Sequence, residues 1–219
     1  MPNSFAYILN TRPFRENSLL VDLFTEDAGK ICCVARPAKK RGKVLKGTLQ
    51  PFRYLHIQWI GKGDVQTLTD ADERGRHTIP PSELMMGLYL NELLLLLTHQ
   101  HTPMPALFSA YKYTLHKLND TSLNQQILMR FEVYLLAEIG YDLIAHECKA
   151  PYLRFTPDEG LIATLTKRSG AIISIELLLA LQDIQNMTES QWRELRVFLD
   201  ATFALLTPRK INTRRLLNI

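Results

Sequence analysis

Between Gly29 and Gly63 the sequence places nine basic side chains and no acidic one: Lys30, Arg36, Lys39, Lys40, Arg41, Lys43, Lys46, Arg53 and Lys62. The chemistry open to such a block is neutralisation of a polyanion, because lysine and arginine release the counterions condensed on a phosphate backbone without regard to base sequence. The centre of the block, residues 37–47, has the Pro, Gly and Lys content of a loop, and β-patterned residues flank it on both sides. Charge alone fits a solvated turn equally well. What favours nucleic acid is the aromatic and β-branched set that follows, Phe52, Tyr54, Ile57 and Trp59, since single strands need stacking surfaces beside a cationic groove. On this reading Lys39, Lys40, Arg41, Lys43 and Lys46 contact phosphates and Arg36 and Arg53 form the groove wall. Arg12 and Arg15 belong to a turn that joins the same sheet. A second basic cluster, Arg209, Lys210, Arg214 and Arg215, lies near the C-terminus.

Other chemistries have little to stand on. His146 with Cys148, and His99 with His101, are the only metal-ligand pairings in view, and neither supplies the two separated pairs of a structural zinc site. No metal and no cofactor are expected. There is no G-x-S-x-G, no P-loop and no H-E-x-x-H, and the carboxylates are scattered among basic residues, so no enzymatic role is expected. The three cysteines, with Cys32 and Cys33 adjacent and Cys148 alone, argue for a reducing compartment. The opening residues lack a signal-peptide pattern and the apolar run Leu84 to Leu97 is too short to span a bilayer, so a cytoplasmic protein is expected. The net charge of +4 matters less than its uneven placement. A different class of function also fits: a protein-interaction adaptor whose basic loop is incidental.

The elements that must position these residues divide by period. Phe5 to Arg12, Ser18 to Thr25, Lys30 to Ala35, Leu49 to Ile60 and Val65 to Thr69 read as short strands joined by turns at 12–17, 25–29 and 61–64. Such a run fits a small closed barrel of the OB-fold type. After Pro80-Pro81 the period becomes helical. Ser82 is placed to cap a helix to about Thr98 that is apolar on most sides and so must be buried, as the centre of a helical domain. Thr102-Pro103 starts a second helix with proline at its first position. Ser122 with Gln125 caps a third, whose stripe is Leu123, Ile127, Phe131, Leu135 and Ile139, stopped by Gly140. Two short strands, Tyr152 to Phe155 and Leu161 to Thr164, surround the turn 157–160. A last helix is capped by Thr188 with Gln191 and buries Trp192, Leu195, Leu199, Thr202 and Leu206. The expected architecture is therefore α+β and multidomain. An OB-fold β-barrel at 1–79 is followed by an all-α helical domain at 80–219 that carries a small irregular β insertion at about 147–171.

Several ordered segments resemble a known family. They are Phe5-Ala6-Tyr7-Ile8-Leu9, Arg12-Pro13-Phe14-Arg15-Glu16, Leu23-Phe24-Thr25-Glu26, Gly29-Lys30, Leu45-Lys46-Gly47, Leu49-Gln50-Pro51-Phe52, Leu68-Thr69, Gly87 to Leu94, and Arg130-Phe131-Glu132 through Gly140-Tyr141. In order and spacing they resemble the RecO family of bacterial recombination mediators, well over residues 5–145 and weakly beyond. The resemblance implies binding of single- and double-stranded DNA and annealing of complementary strands. It also implies work with RecR and RecF, loading of RecA onto DNA coated by single-stranded-DNA-binding protein, and a place beside the bacterial nucleoid. It further implies that the helical domain receives the acidic, Phe-ended C-terminal tail of single-stranded-DNA-binding protein. Arg130, with Ile127 and Phe131, is the site carried over for that tail. Many members have Arg-Arg-Phe-Glu where this chain has Met129-Arg130-Phe131-Glu132, and only Cys148 stands where some carry four zinc-binding cysteines.

Overall fold

Alternating apolar and polar residues build a closed five-stranded barrel at the N-terminus of a computed structural model that describes residues 1–36, 48–118, 124–144, 150–168 and 170–217. The strands are β1 (Asn3–Phe14), β2 (Ser18–Thr25), β3 (Gly29–Ala35), β4 (Arg53–Ile60) and β5 (Val65–Arg76). They follow the order β1-β2-β3-β5-β4, with the parallel β3–β5 pair and the antiparallel β1–β4 pair closing the ring. This is the expected OB-type barrel. Every second side chain points inward, and Ala6, Ile8, Val21, Leu23, Ile31, Cys33, Leu55, Ile57, Trp59 and Leu68 fill the interior. Two boundaries differ most from the sequence reading. Phe52 adopts a φ of 65°, which breaks the pleat, so β4 begins at Arg53 rather than Leu49. β5 runs on to Arg76 because β4 pairs with it along its whole length.

The same compact unit as the barrel holds two helices, α1 (Leu84–Leu97) and α2 (Pro105–Lys117), and a 3-10 turn at Thr213–Leu216. Ser82 does not cap α1: Glu83 occupies the cap position and makes no side-chain cap bond. Pro105, not Pro103, takes the first-turn place in α2. α1 is buried, and what it is buried against is the barrel. Its Asn91 amide donates to the carbonyls of Ile8 (3.4 Å) and Leu9 (3.1 Å), where a register shift interrupts the β1–β2 ladder, and its amide oxygen accepts from the Tyr111 hydroxyl. Lys30 of β3 donates to the carbonyls of Leu95 (2.7 Å) and Thr98 at the C-terminus of α1, where a cation meets the negative end of the helix. Gly29 has a φ of +68°, and a Cβ there would stand 2.0 Å from the Thr102 carbonyl oxygen. Only glycine permits this approach. Glu92 accepts from the Thr213 backbone N–H (2.8 Å) and hydroxyl (2.6 Å), which ties the 3-10 turn to α1.

A second compact unit contains α3 (Asn124–Glu138), β6 (Tyr152–Thr156), β7 (Gly160–Thr164), β8 (Ile172–Ser174), α4 (Ile175–Ala180) and α5 (Glu189–Leu206). Gly140, at a φ of 95°, ends the turn after α3, with the Tyr141 N–H donating to Leu136 O at 2.8 Å. The expected cap at Ser122 and the stripe residue Leu123 lie outside the described residues. The two short strands pair as a hairpin, and β8 adds a third strand in the order β7-β6-β8, so the small sheet reaches Ser174. α4 was not foreseen. The Ser174 hydroxyl accepts from Leu177 N–H at 3.2 Å and starts it. The Thr188/Gln191 capping box forms as read, and α5 buries Trp192, Leu195, Leu199 and Thr202 together with Phe198 and Phe203. Among the described residues no helix is long and apolar enough to cross a membrane.

Candidate nucleic-acid interface

Strand register decides which of the basic residues share a surface. Phe14 pairs with Ser18 and Pro13 with Leu19 in the β1–β2 hairpin, and Leu19 pairs with Ala35 on β3. The tip carrying Arg12 and Arg15 therefore adjoins the end of β3, where exposed Arg36 leads into the basic segment. Arg12 is 56% exposed and stands 3.8 Å from the Asp22 carboxylate. Arg15, at a φ of 53°, holds its guanidinium 5.3 Å from the Phe14 ring centroid. Lys39, Lys40, Arg41, Lys43 and Lys46 lie outside the described residues. Two members of the block are engaged within the fold. Lys30 is spent on α1, and burial, against the opposing pull of Asp22, holds its ammonium below the usual lysine range. Arg53 pairs with Glu73 on β5 and donates to Gln50 Oε1 at 2.7 Å, so any phosphate it met would compete with a carboxylate.

The aromatic and β-branched residues after the basic segment differ in burial. Phe52, Ile57 and Trp59 are buried, and of the four that follow the basic segment only Tyr54 reaches the outer face. There it lies against Phe5 of β1, ring centroids 5.0 Å apart and planes 10° from parallel, while His56 is T-shaped to Phe5 with ring centroids 5.4 Å apart. Lys112 of α2 places its ammonium 4.1 Å from the Tyr54 ring centroid. Farther along this face Tyr7 and Phe24 are fully buried beneath Phe108 and Tyr111 of α2, and Tyr7 hydrogen-bonds His77 at 2.9 Å. Burial, then the electrostatic influence of His116 and Lys112, holds the His77 imidazole below its ordinary range. Phe5 and His56 were missed in the sequence, although their alternation with Ala6, Leu55 and Ile57 marks them as outward. Nothing in the sequence marked Lys112, which reaches the strands only through the packing of α2.

In the second unit Arg130 lies on α3 and donates to Ile184 O at 3.5 Å, with its guanidinium 5.8 Å from the Trp192 ring centroid. Ile127 is half-buried, and Phe131 is buried in the interior. A cavity of about 500 Å³ elsewhere in this unit is lined by Phe155, Pro157, Ala171 and Leu205 together with Arg154 and Arg168. Among the described residues no group of three or more possible metal ligands comes together; His146 and Cys148 lie outside them. Burial pushes the Cys33 thiol up to about 12, and burial with Asp22 pushes Cys32 up to about 11, so both stay protonated and unreactive at neutral pH.

Comparison with known proteins covers nearly the whole chain. The family described as "Recombination protein O N terminal" matches residues 1–74, and "Recombination protein O C terminal" matches residues 81–215. The "DNA repair protein RecO" of Coxiella burnetii (strain RSA 493 / Nine Mile phase I) is 35% identical over 97% of this chain and 96% of its own length. The proteins of the same name from Tolumonas auensis and Nitrosococcus oceani are 40% and 44% identical, over 73% and 64% of this chain and 71% and 57% of their own lengths. A barrel matched by one half of the family and helices matched by the other, with relatives that run nearly end to end, carry one conclusion: the chain belongs to the RecO family, whose role is in DNA repair and recombination.

Proposed function

We propose that this protein binds single- and double-stranded DNA through the barrel, anneals complementary strands, and with RecR and RecF helps RecA load onto DNA coated by single-stranded-DNA-binding protein. The observation that carries the reading is the acid-free basic segment, which leaves the barrel at Arg36, beside the Arg12 and Arg15 hairpin tip. Annealing asks a protein to neutralise phosphates on two strands while leaving the bases free to pair. A cluster of lysines and arginines does this because it carries no base code. The test is a titration of labelled single- and double-stranded DNA at several salt concentrations, together with an annealing assay on complementary oligonucleotides. Expected are binding of both forms, a log affinity that falls linearly with log salt, and annealing that weakens as salt rises. Binding to neither form would leave the adaptor reading in its place.

For the partner, the acidic tail of single-stranded-DNA-binding protein needs a cation for its carboxylates and apolar surface for its terminal ring, and arginine is the better cation for charge-assisted bonds. Arg130 and half-buried Ile127 offer these together, while Phe131 supports their turn from inside. Arg130→Ala is expected to cost tail-peptide binding about 1.5–3 kcal/mol by fluorescence anisotropy while naked-DNA annealing is unchanged. Equal affinity for variant and wild type would move the tail away from α3, toward the C-terminal basic cluster of Arg209, Lys210, Arg214 and Arg215.

A further inference from the structure

We infer that the Phe5–Tyr54 stack on the outer face of the barrel, with Lys112 beside it, is a platform for the unpaired bases of a single strand, and that it favours single-stranded over double-stranded DNA. The inference rests on the DNA-binding reading above and adds a site with a different chemistry. Phe5 and Tyr54 are neither core nor scattered surface residues. They are half-buried and nearly parallel, and the pair is braced by Tyr7, whose ring centroid is 5.4 Å from that of Tyr54, and by His56, which is T-shaped to Phe5. Side chains held in this way lose little freedom when a base stacks on them. α2 covers the outward aromatics farther along the face, Tyr7 and Phe24, but leaves Phe5, Tyr54 and His56 partly open.

The charge around the stack fits one class of occupant. Lys112 is exposed, sits over Tyr54, and among the described residues forms no ion pair. His116, one turn farther along α2, is also exposed. A half-buried ring pair with a cation 4.1 Å from the Tyr54 centroid matches a nucleotide, whose base presents a π-face and whose phosphate lies a few ångströms away. An apolar peptide would gain nothing from Lys112. Duplex DNA keeps its bases stacked on one another and can use the cations but not the rings. Phosphate contacts of the basic segment are common to both forms of DNA, so the rings are where the two forms part.

The test uses the full chain and a fluorescein-labelled dT oligonucleotide, a duplex of the same length, and an abasic strand of the same length as probes. In the double variant Phe5→Leu with Tyr54→Leu, which keeps apolar volume and removes the ring faces, dT affinity is expected to fall about tenfold or more. Duplex affinity, abasic-strand affinity and the salt slope for dT are expected to stay at wild-type values. Lys112→Ala is expected to flatten the dT salt slope by about 0.7. A single Tyr54→Trp variant, with rings retained, is expected to show tryptophan quenching on addition of dT. It keeps the proposal testable if the double variant fails to fold. Equal losses on dT and duplex, no loss on dT, or no quenching in Tyr54→Trp would overturn the platform while leaving DNA binding by the barrel intact. A wild-type protein that binds none of the three probes would overturn the DNA-binding reading itself.

Discussion

Replacing Lys39, Lys40, Arg41 and Lys43 together by Ala is expected to weaken single- and double-stranded DNA binding alike and to flatten the log–log salt dependence by about 2.8 for single strands and about 3.6 for duplex, four contacts at about 0.7 and about 0.9 each. A fourfold rise in salt would then cost the variant about 50-fold less single-strand affinity than it costs wild type. The two forms of DNA suffer together because a phosphate contact positions the chain without reading or stacking on a base. Thermal unfolding is expected to match wild type, since apolar side chains such as Ala6, Ile8, Leu55 and Ala71 fill the barrel interior. Salt titrations of variant and wild type decide the matter, and an unchanged slope would remove the segment from the interface. The signature is the opposite of that of the Phe5 and Tyr54 variant, which loses single-strand affinity at constant slope. The two experiments therefore separate electrostatic from stacking contributions in the same barrel.

The largest effect on stability is expected from Glu132→Ala in the second unit. Glu132 on α3 has no exposed side-chain surface, and its carboxylate accepts from Arg196 of α5 at 2.6 Å. The other guanidinium nitrogen of Arg196 reaches Asp200 at 2.9 Å, and Arg196 is itself only 12% exposed. Removing the carboxylate leaves a guanidinium in the interior with its buried counter-charge gone, a loss of about 3–5 kcal/mol. The pair as a whole is worth far less than either partner's removal suggests, because two charges had to leave water to form it. Exchanging both, Glu132→Met with Arg196→Leu, is accordingly expected to recover most of the loss. Urea unfolding followed by circular dichroism measures both variants. A single-variant loss under about 1 kcal/mol would show that water reaches Arg196 and that the pair is not a buried one.

Local signals were legible wherever the physical cause was local. The Thr188/Gln191 box and the Gly140 stop depend on neighbours within a turn, and both formed as read. Strand alternation carries the separation of Leu55, Ile57 and Trp59 from Tyr54 and His56, but the sequence reading groups Ile57 and Trp59 with Tyr54 as one stacking set, and the structure buries both. The misread starts have local alternatives that packing chose between. Glu83 rather than Ser82 occupies the first cap, and Phe52, at a φ of 65°, interrupts the strand and packs its ring against Gly87, where an added Cβ would stand 2.8 Å from it.

The sequence by itself determined the kind of protein this is: a barrel followed by helices, an unopposed run of cations in one connection, and segments whose order matches the RecO family. Composition and period suffice for these, because strand and helix repeats follow from backbone geometry and an uninterrupted charge run is visible along the chain. The tertiary structure decided which residues can act. A long-range hydrogen bond withdraws Lys30 to the end of α1, a cross-strand carboxylate takes up Arg53, and Phe131 turns inward. The Phe5–Tyr54 stack is made by pairing strands that are about fifty residues apart, and Lys112 joins it from a helix still farther along the chain. Contacts between residues so distant in sequence have no periodic signature, so only the folded chain could reveal them.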